Sequence, residues 1–249
     1  MTVSVIIPCY NSEKTIERCL NSVFHQTVIP SQIIVVDDCS TDDTQRILSV
    51  FKNKITYKRL ENNLGPGNAR NEGIKASNSN FIAFLDSDDF WEKEKIEIQL
   101  KFMIENKYDA SCTGVDYFKT KSQGQRKIFK KIPEKIYDKN SIKNLCKENT
   151  IITSSVMIRK SSIKNHLFLN IKNRQDLLFW TNLIKEGINF YGIQKPLVNY
   201  DLSSKGISSN KLKMLLANYK IFSIILNSRL LAFKILIINT IRNIFLRIK

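Results

Sequence analysis

Two apolar runs that each end in carboxylates constrain this chain more than any other feature. Ile33-Ile34-Val35-Val36 runs into Asp37-Asp38, and Phe81-Ile82-Ala83-Phe84-Leu85 runs into Asp86-Ser87-Asp88. Short apolar runs without alternation read as strands buried on both faces, as in a parallel α/β sheet. Such strands deliver the residues after them to the carboxyl edge of the sheet, where open α/β folds bind ligands. Asp-x-Asp at that edge offers hard oxygens suited to a Mg²⁺ or Mn²⁺ ion carrying phosphates. The pattern points to an enzyme that uses a nucleotide.

The surrounding sequence supports that fold class. Val3–Cys9, 32–37, 55–60 and 80–85 read as strands. They alternate with helical patterns at 12–24, 41–51, 67–76 and 91–106, and a further strand is predicted at 109–117. In the first helix, Ile16, Cys19, Leu20 and Val23 share one face. Ser40 is placed to cap the second helix. This βαβ alternation predicts an α/β fold, a mostly parallel Rossmann-like sheet with helices on both faces. Residues 118–147 are rich in basic side chains and read as a mobile, solvated excursion, with a specific binding surface as the alternative. A second α/β stretch comes next, with a strand at 153–158, a helix at 176–186 and a strand at 197–200. The expected organisation is one domain over 1–205, with a nucleotide-binding half (1–116) and an acceptor half (117–205). A flexible loop and a basic amphipathic helical tail complete the chain at 206–249.

Charge separates the halves. The net charge is +16, yet residues 1–116 carry 13 basic and 17 acidic side chains, and residues 117–249 carry 26 basic and 6 acidic. The second half therefore favours an anionic surface. In the tail, Lys213, Lys220, Asn227 and Lys234 recur every seven residues, with Arg242 and Lys249 beyond them. On one helix these six fall within roughly 40° of a line, beside a broad Leu/Ile/Phe face. That pattern suits a helix lying in the plane of an anionic membrane surface, with packing on the domain as the alternative. The five cysteines form no CxxC pair, and the N-terminus opens directly in a strand. A reducing, cytoplasmic setting without a signal peptide is expected.

The remaining chemistry lies in order along the first half. Pro8-Cys9-Tyr10-Asn11 ends the first strand, where Tyr10 can lie against a nucleobase. Asp38 can accept from a base N–H. Asn62–Asn71 is a glycine loop opening a helix, which permits close backbone approach and favours anions. Taken singly these signals are weak. Tyr10 alone suits a packed aromatic, Asp37 or Asp38 alone a helix cap, and Gly65-Pro66-Gly67 is not GxGxxG. Their order, each after its own strand, carries the argument.

On these residues the chain resembles the family 2 glycosyltransferases of GT-A fold. The matching pieces are Val3–Asn11, Val35–Asp42, Ala69-Arg70-Asn71-Glu72-Gly73 and Phe84–Asp89. The resemblance covers about residues 1–205 and is closest to enzymes making bacterial surface polysaccharides of the teichuronic-acid type. It implies that Pro8, Tyr10, Asn11 and Asp38 line the nucleoside pocket. It places Asp86 on the ribose side, Arg70 on the phosphate side and the metal, Mn²⁺ or Mg²⁺, on Asp88. In Arg174-Gln175-Asp176, Asp176 stands where the family has its acceptor base, and Gln175 replaces the usual Glu. Ser203–Lys211 resembles the segment after the last strand in that subgroup and reads as a flexible loop placed to close over the diphosphate. Trp180 is a candidate for stacking on a sugar or for the core. The implied partners are a nucleotide-sugar donor, a glycan or lipid-linked saccharide acceptor and the inner membrane face, with no nucleic acid. The implied reaction is an inverting transfer from a nucleotide-sugar, most simply a UDP-sugar. A nucleotidyltransferase is the rival enzyme, although Pro8–Asn11 occupies the place of its glycine-rich loop. A non-enzymatic nucleic-acid binder would account for the charge but lacks a recognisable module.

Overall fold

The computed structural model describes residues 1–120, 126–131, 136–148, 150–171, 173–202 and 211–248. The first half comprises β1 (Val3–Cys9), α1 (Ile16–Phe24), β2 (Gln32–Asp37), α2 (Thr44–Ser49), β3 (Thr56–Arg59), α3 (Pro66–Ala76) and β4 (Phe81–Phe84). Next come β5 (Phe90–Trp91), α4 (Lys95–Glu105), β6 (Ala110–Thr120), β7 (Arg126–Lys131), β8 (Ile136–Tyr137), α5 (Ile142–Glu148) and β9 (Met157–Arg159). The chain then forms α6 (Lys160–Ile163), α7 (Gln175–Lys185), β10 (Phe190–Asp201), α8 (Lys211–Leu226) and α9 (Arg229–Ile248).

One sheet runs β3-β2-β1-β4-β9-β6-β10-β5, with β7 added to β6 and β8 to β10. The β3-β2-β1-β4 part is parallel throughout, as expected. β9 lies antiparallel between β4 and β6, and β5 is antiparallel on β10. The strand order reverses at β1, so a crevice opens between the carboxyl ends of β1 and β4. Pro8 fits there for a physical reason. The β1–β4 ladder ends with Ile6 paired to Phe84, and the Ile6 carbonyl accepts from Leu85 N–H. Pro8, two residues on, faces the same side, where no ladder partner needs the N–H that proline lacks.

Alternation along β1 feeds two cores. Val5 and Ile7 join Ile16, Leu20, Val23, Ile96 and Met103 beneath α1 and α4. Ile6 joins Ile74, Leu145, Leu178, Trp180, Phe190, Phe222 and Ile235 on the other face. The amphipathic reading of α1 holds, with Ile16, Cys19, Leu20 and Val23 all buried.

Three expectations change, and of the two readings of Trp180 the core one holds. Ser40 does not cap α2; its hydroxyl accepts from Asn11 N–H, and Asp42 instead accepts from the N–H and hydroxyl of Thr44. The 118–147 region is not simply a solvated excursion, since β7 pairs with β6 and α5 buries Leu145 and Cys146. Trp180 is fully buried and packs edge-on against Phe84, Phe168 and Phe190, so it belongs to the core. The tail is two helices broken at Asn227, whose φ is 48°, so the basic heptad does not run along one helix. Of the loop expected at 203–211, residues 203–210 lie outside the described residues, as do the side chains of Lys213, Arg242 and Lys249. Among the described residues no helix is long and apolar enough to cross a membrane.

Candidate active site

The crevice is built from three loops. The β1 loop carries the exposed Tyr10 and Asn11, whose φ of 49° is a left-handed conformation that asparagine tolerates. The Asn11 side-chain oxygen accepts from Thr41 N–H at 2.8 Å and its own N–H donates to Ser40 Oγ at 3.0 Å. Asn11 therefore ties the β1 loop to the loop after β2 and leaves Tyr10 projecting.

The two aspartates after β2 divide the work. Asp37 is buried, accepting from Ser40 N–H at 2.8 Å and from the Tyr57 hydroxyl at 2.9 Å. It is a brace for the loop. Asp38 accepts from Leu64 N–H at 2.8 Å and Gly65 N–H at 2.7 Å, one on each oxygen. Burial lifts its carboxyl above the ordinary carboxylate range; the two N–H bonds oppose the rise and the Asp37 charge adds to it. The glycine loop is thus held by Asp38. Gly65 has φ 87°, a conformation favoured by glycine, and Pro66 takes the first helical position of α3. Gly67 makes room for α7, because a Cβ there would stand 2.2 Å from the side-chain oxygen of Gln175.

The third loop extends from β4. Arg70 on α3 pairs with Asp86 at 2.5 Å and lies 5.4 Å from the ring centre of Phe168. The expected ribose-side and phosphate-side residues are therefore direct partners. Ser87 Oγ lies 2.8 Å from Ser12 Oγ, joining this loop to the β1 loop. Arg18 on α1 donates to the Asp88 carbonyl at 2.6 Å and to Asp201 at 2.9 Å. Asp89 is buried, accepting from Ser154 Oγ at 2.5 Å and Asp201 N–H at 3.1 Å. Burial lifts its carboxyl well above the usual range, and the Asp88 and Asp86 charges add to the rise. Burial and then Asp89 push Tyr117 up to about 12, and Tyr200 is raised by burial and by all three aspartates.

This is a concentration of negative charge, with Arg70 paired to Asp86 and Arg18 to Asp201. Its carboxylate oxygens have the donor chemistry that a divalent cation takes. No group of three His, Cys, Asp or Glu that could hold a metal occurs among the described residues, and Mg²⁺ on phosphates commonly takes only one or two carboxylates. Asp86 and Asp88 would offer that number.

Asp176 lies in the first turn of α7, half-buried, with no hydrogen bond or ion pair among the described residues. α7 is anchored beside the crevice. Its Trp180 packs on Phe84 at the end of β4, and Phe179 stacks on Phe168 at 3.9 Å. Phe168 in turn exchanges two backbone hydrogen bonds with the Asn71 side chain on α3. Arg18, Ser154 and Asp201 are functional neighbours that the sequence pattern does not reveal. The one local signal is Asp89 adjoining Asp-x-Asp; its partners come from distant segments.

The glycosyl transferase family 2 model matches residues 4–167. The chain belongs to that family. It is a glycosyltransferase, and its sheet and helices form the GT-A architecture. TuaG of Bacillus subtilis, named for teichuronic acid biosynthesis, is 39% identical over 215 residues, covering 85% of this chain and 83% of that protein. The Escherichia coli UDP-Glc:α-D-GlcNAc-diphosphoundecaprenol β-1,3-glucosyltransferase WfaP is 33% identical, covering 86% of this chain and 82% of that protein. The crystal structure of S. aureus TarS 1–349 with UDP-GlcNAc superposes with a TM-score of 0.73 at 25% identity. That match covers 96% of this chain and 72% of the TarS chain. Family membership sets aside the nucleotidyltransferase and nucleic-acid-binding readings.

Proposed function

We propose that this glycosyltransferase moves a sugar from a UDP-sugar to a lipid-linked saccharide during synthesis of a bacterial surface polysaccharide, with inversion at the anomeric carbon. The observation that carries the reading is the Asp86-Ser87-Asp88 loop at the β1/β4 crevice, beside a helix that opens with Gln175-Asp176. The relatives support the substrate class: WfaP is named for a UDP-Glc donor and a diphosphoundecaprenol-linked acceptor, and TarS was crystallised with UDP-GlcNAc.

In this reading Tyr10 lies against the uracil. Pro8, Asn11 and Asp38 shape the pocket through the backbone they hold. Asp86 faces the ribose, and Arg70 holds Asp86 in place on the phosphate side. Asp88 would hold a Mn²⁺ or Mg²⁺ ion, whose charge would stabilise the departing diphosphate. Asp176 takes the proton of the acceptor hydroxyl as its oxygen attacks the anomeric carbon. The bond from that carbon to the diphosphate oxygen breaks, and UDP leaves on the opposite face. A lipid-linked acceptor implies a peripheral position on the inner face of the cell membrane.

The test is mass-spectrometric detection of nucleoside diphosphate after incubation with UDP-, GDP- and dTDP-sugars and Mn²⁺ or Mg²⁺. Metal-dependent release from one donor, lost in Asp88→Asn, is expected. Equal release by Asp88→Asn would refute the metal assignment. Absence of both release and donor binding with every donor would refute the reading.

A further inference from the structure

The tail helices carry apolar side chains on two opposite sides. Inward, Ile221, Phe222 and Ile225 of α8 and Ala232 and Ile235 of α9 are buried in the core that contains Trp180. Asn239 on the same side of α9 donates to the Cys146 carbonyl at 3.1 Å. Outward, Leu230, Phe233, Ile237 and Ile241 recur at steps of three and four, one face of a helix. They are 67%, 53%, 43% and 49% exposed, and Leu216 and Ile224 on α8 are 65% and 52% exposed. A helix packed on a globular domain ordinarily turns polar residues outward. Here the polar contribution is cationic. Lys220, Arg229 and Lys234 are exposed beside this face, and residues 211–249 contain no Asp or Glu.

We infer that the outward face of the α8–α9 hairpin docks on an anionic lipid bilayer, lying in its plane. Charge chooses the occupant. A second copy meeting the same face would bring cationic helices against cationic helices, as a two-fold interface requires. An anionic headgroup layer complements the lysines and arginine, and its acyl boundary receives Leu230, Phe233 and Ile237. The inner face fixes what docking does. Arg174, the residue before α7, donates from Nε to Asn218 of α8 at 2.8 Å. Docking therefore sets the orientation of the helix that opens with Gln175-Asp176. The catalytic meaning of that orientation rests on the proposed function; the docking surface does not.

The test is co-sedimentation of the full chain with phosphatidylcholine vesicles, with and without phosphatidylglycerol. The wild type is expected to pellet with the anionic vesicles and to be released by salt. Phe233→Glu with Ile237→Glu is expected to lower that partition about tenfold or more, with the thermal midpoint unchanged. Lys220→Glu with Lys234→Glu, which leaves the apolar residues alone, is expected to weaken it too, and serves if the first variant does not fold. Wild-type protein that stays in the supernatant, or variants that bind as well as wild type, would overturn the inference. So would a dimer abolished by Phe233→Glu/Ile237→Glu in a protein that ignores vesicles. No donor is needed, so failure here leaves the catalytic reading standing, and the reverse is also true.

Discussion

Breaking the Arg70–Asp86 pair tests whether α3 and the Asp86–Asp88 loop form one unit. The side chains are 6% and 29% exposed, and they meet at 2.5 Å. Exposed pairs contribute about 0–1 kcal/mol, whereas removing one partner of a buried pair costs about 3–5 kcal/mol. Solvent reaches Asp86, so Arg70→Met is expected to cost about 2 kcal/mol, with the lost Phe168 contact adding about 0.5–1. Asp86→Asn leaves the more buried charge, and Arg70 Nε already has no hydrogen-bond partner. Its cost is expected to be about 3 kcal/mol. For a chain of this size each change lowers the melting temperature by about 5–10 °C. The decisive assay is urea unfolding of both single variants and the double variant. A coupling of at least about 1 kcal/mol is expected, so the double variant falls short of the sum. Additive costs, or single costs below about 0.5 kcal/mol, would show that the pair is a surface contact of little consequence.

The other expectations are direct. Asp176→Asn should abolish sugar transfer while UDP binding by calorimetry stays near wild type; wild-type turnover would remove Asp176 as the base. Gly73→Ala should cost about 1–3 kcal/mol in chemical denaturation, because the new Cβ would stand 2.4 Å from Ile6 Cγ2; an unchanged midpoint would show that α3 lifts freely from β1. Asp89 holds its proton more tightly folded than unfolded, so it costs stability as pH rises above the unfolded value of about 4. The stability of Asp89→Asn relative to wild type should therefore rise over the same interval; a flat difference from pH 4 to 8 would mean that Asp89 is not raised.

The carboxyl-edge aspartates were legible because period and composition place them: an apolar strand must end, and the residues just beyond it lie at the carboxyl edge of the sheet. The glycine loop was also legible as a helix opening, since glycine permits the positive φ found at Gly65 and proline suits the first helical position taken by Pro66. Division of labour between Asp37 and Asp38 was not legible. Both are identical in type and adjacent, and only alternation along β2 and the distant Tyr57 and Leu64 separate a brace from a loop anchor. The tail illustrates a different limit. Heptad spacing was real, but the helix is broken at Asn227, in a left-handed conformation, and apolar residues of both pieces are buried in the core. Periodicity reports a face and cannot report what covers it.

The contacts the sequence could not supply share one property: they tie the Asp88 loop to the far end of the chain. Arg18 bridges the Asp88 carbonyl and Asp201, and Asp89 accepts from the Asp201 backbone and from Ser154. Asp201 closes β10, the strand from which the chain proceeds toward α8. The Asp88 loop backbone is therefore tied directly to β10, β10 precedes the α8–α9 hairpin in sequence, and α7 is held to the hairpin through Arg174 and Asn218. The Asp88 loop and α7 are thus both held by segments from the C-terminal part of the sequence. That arrangement gives a physical reason for the cationic tail to pack on the catalytic domain rather than hang from it as a separate anchor.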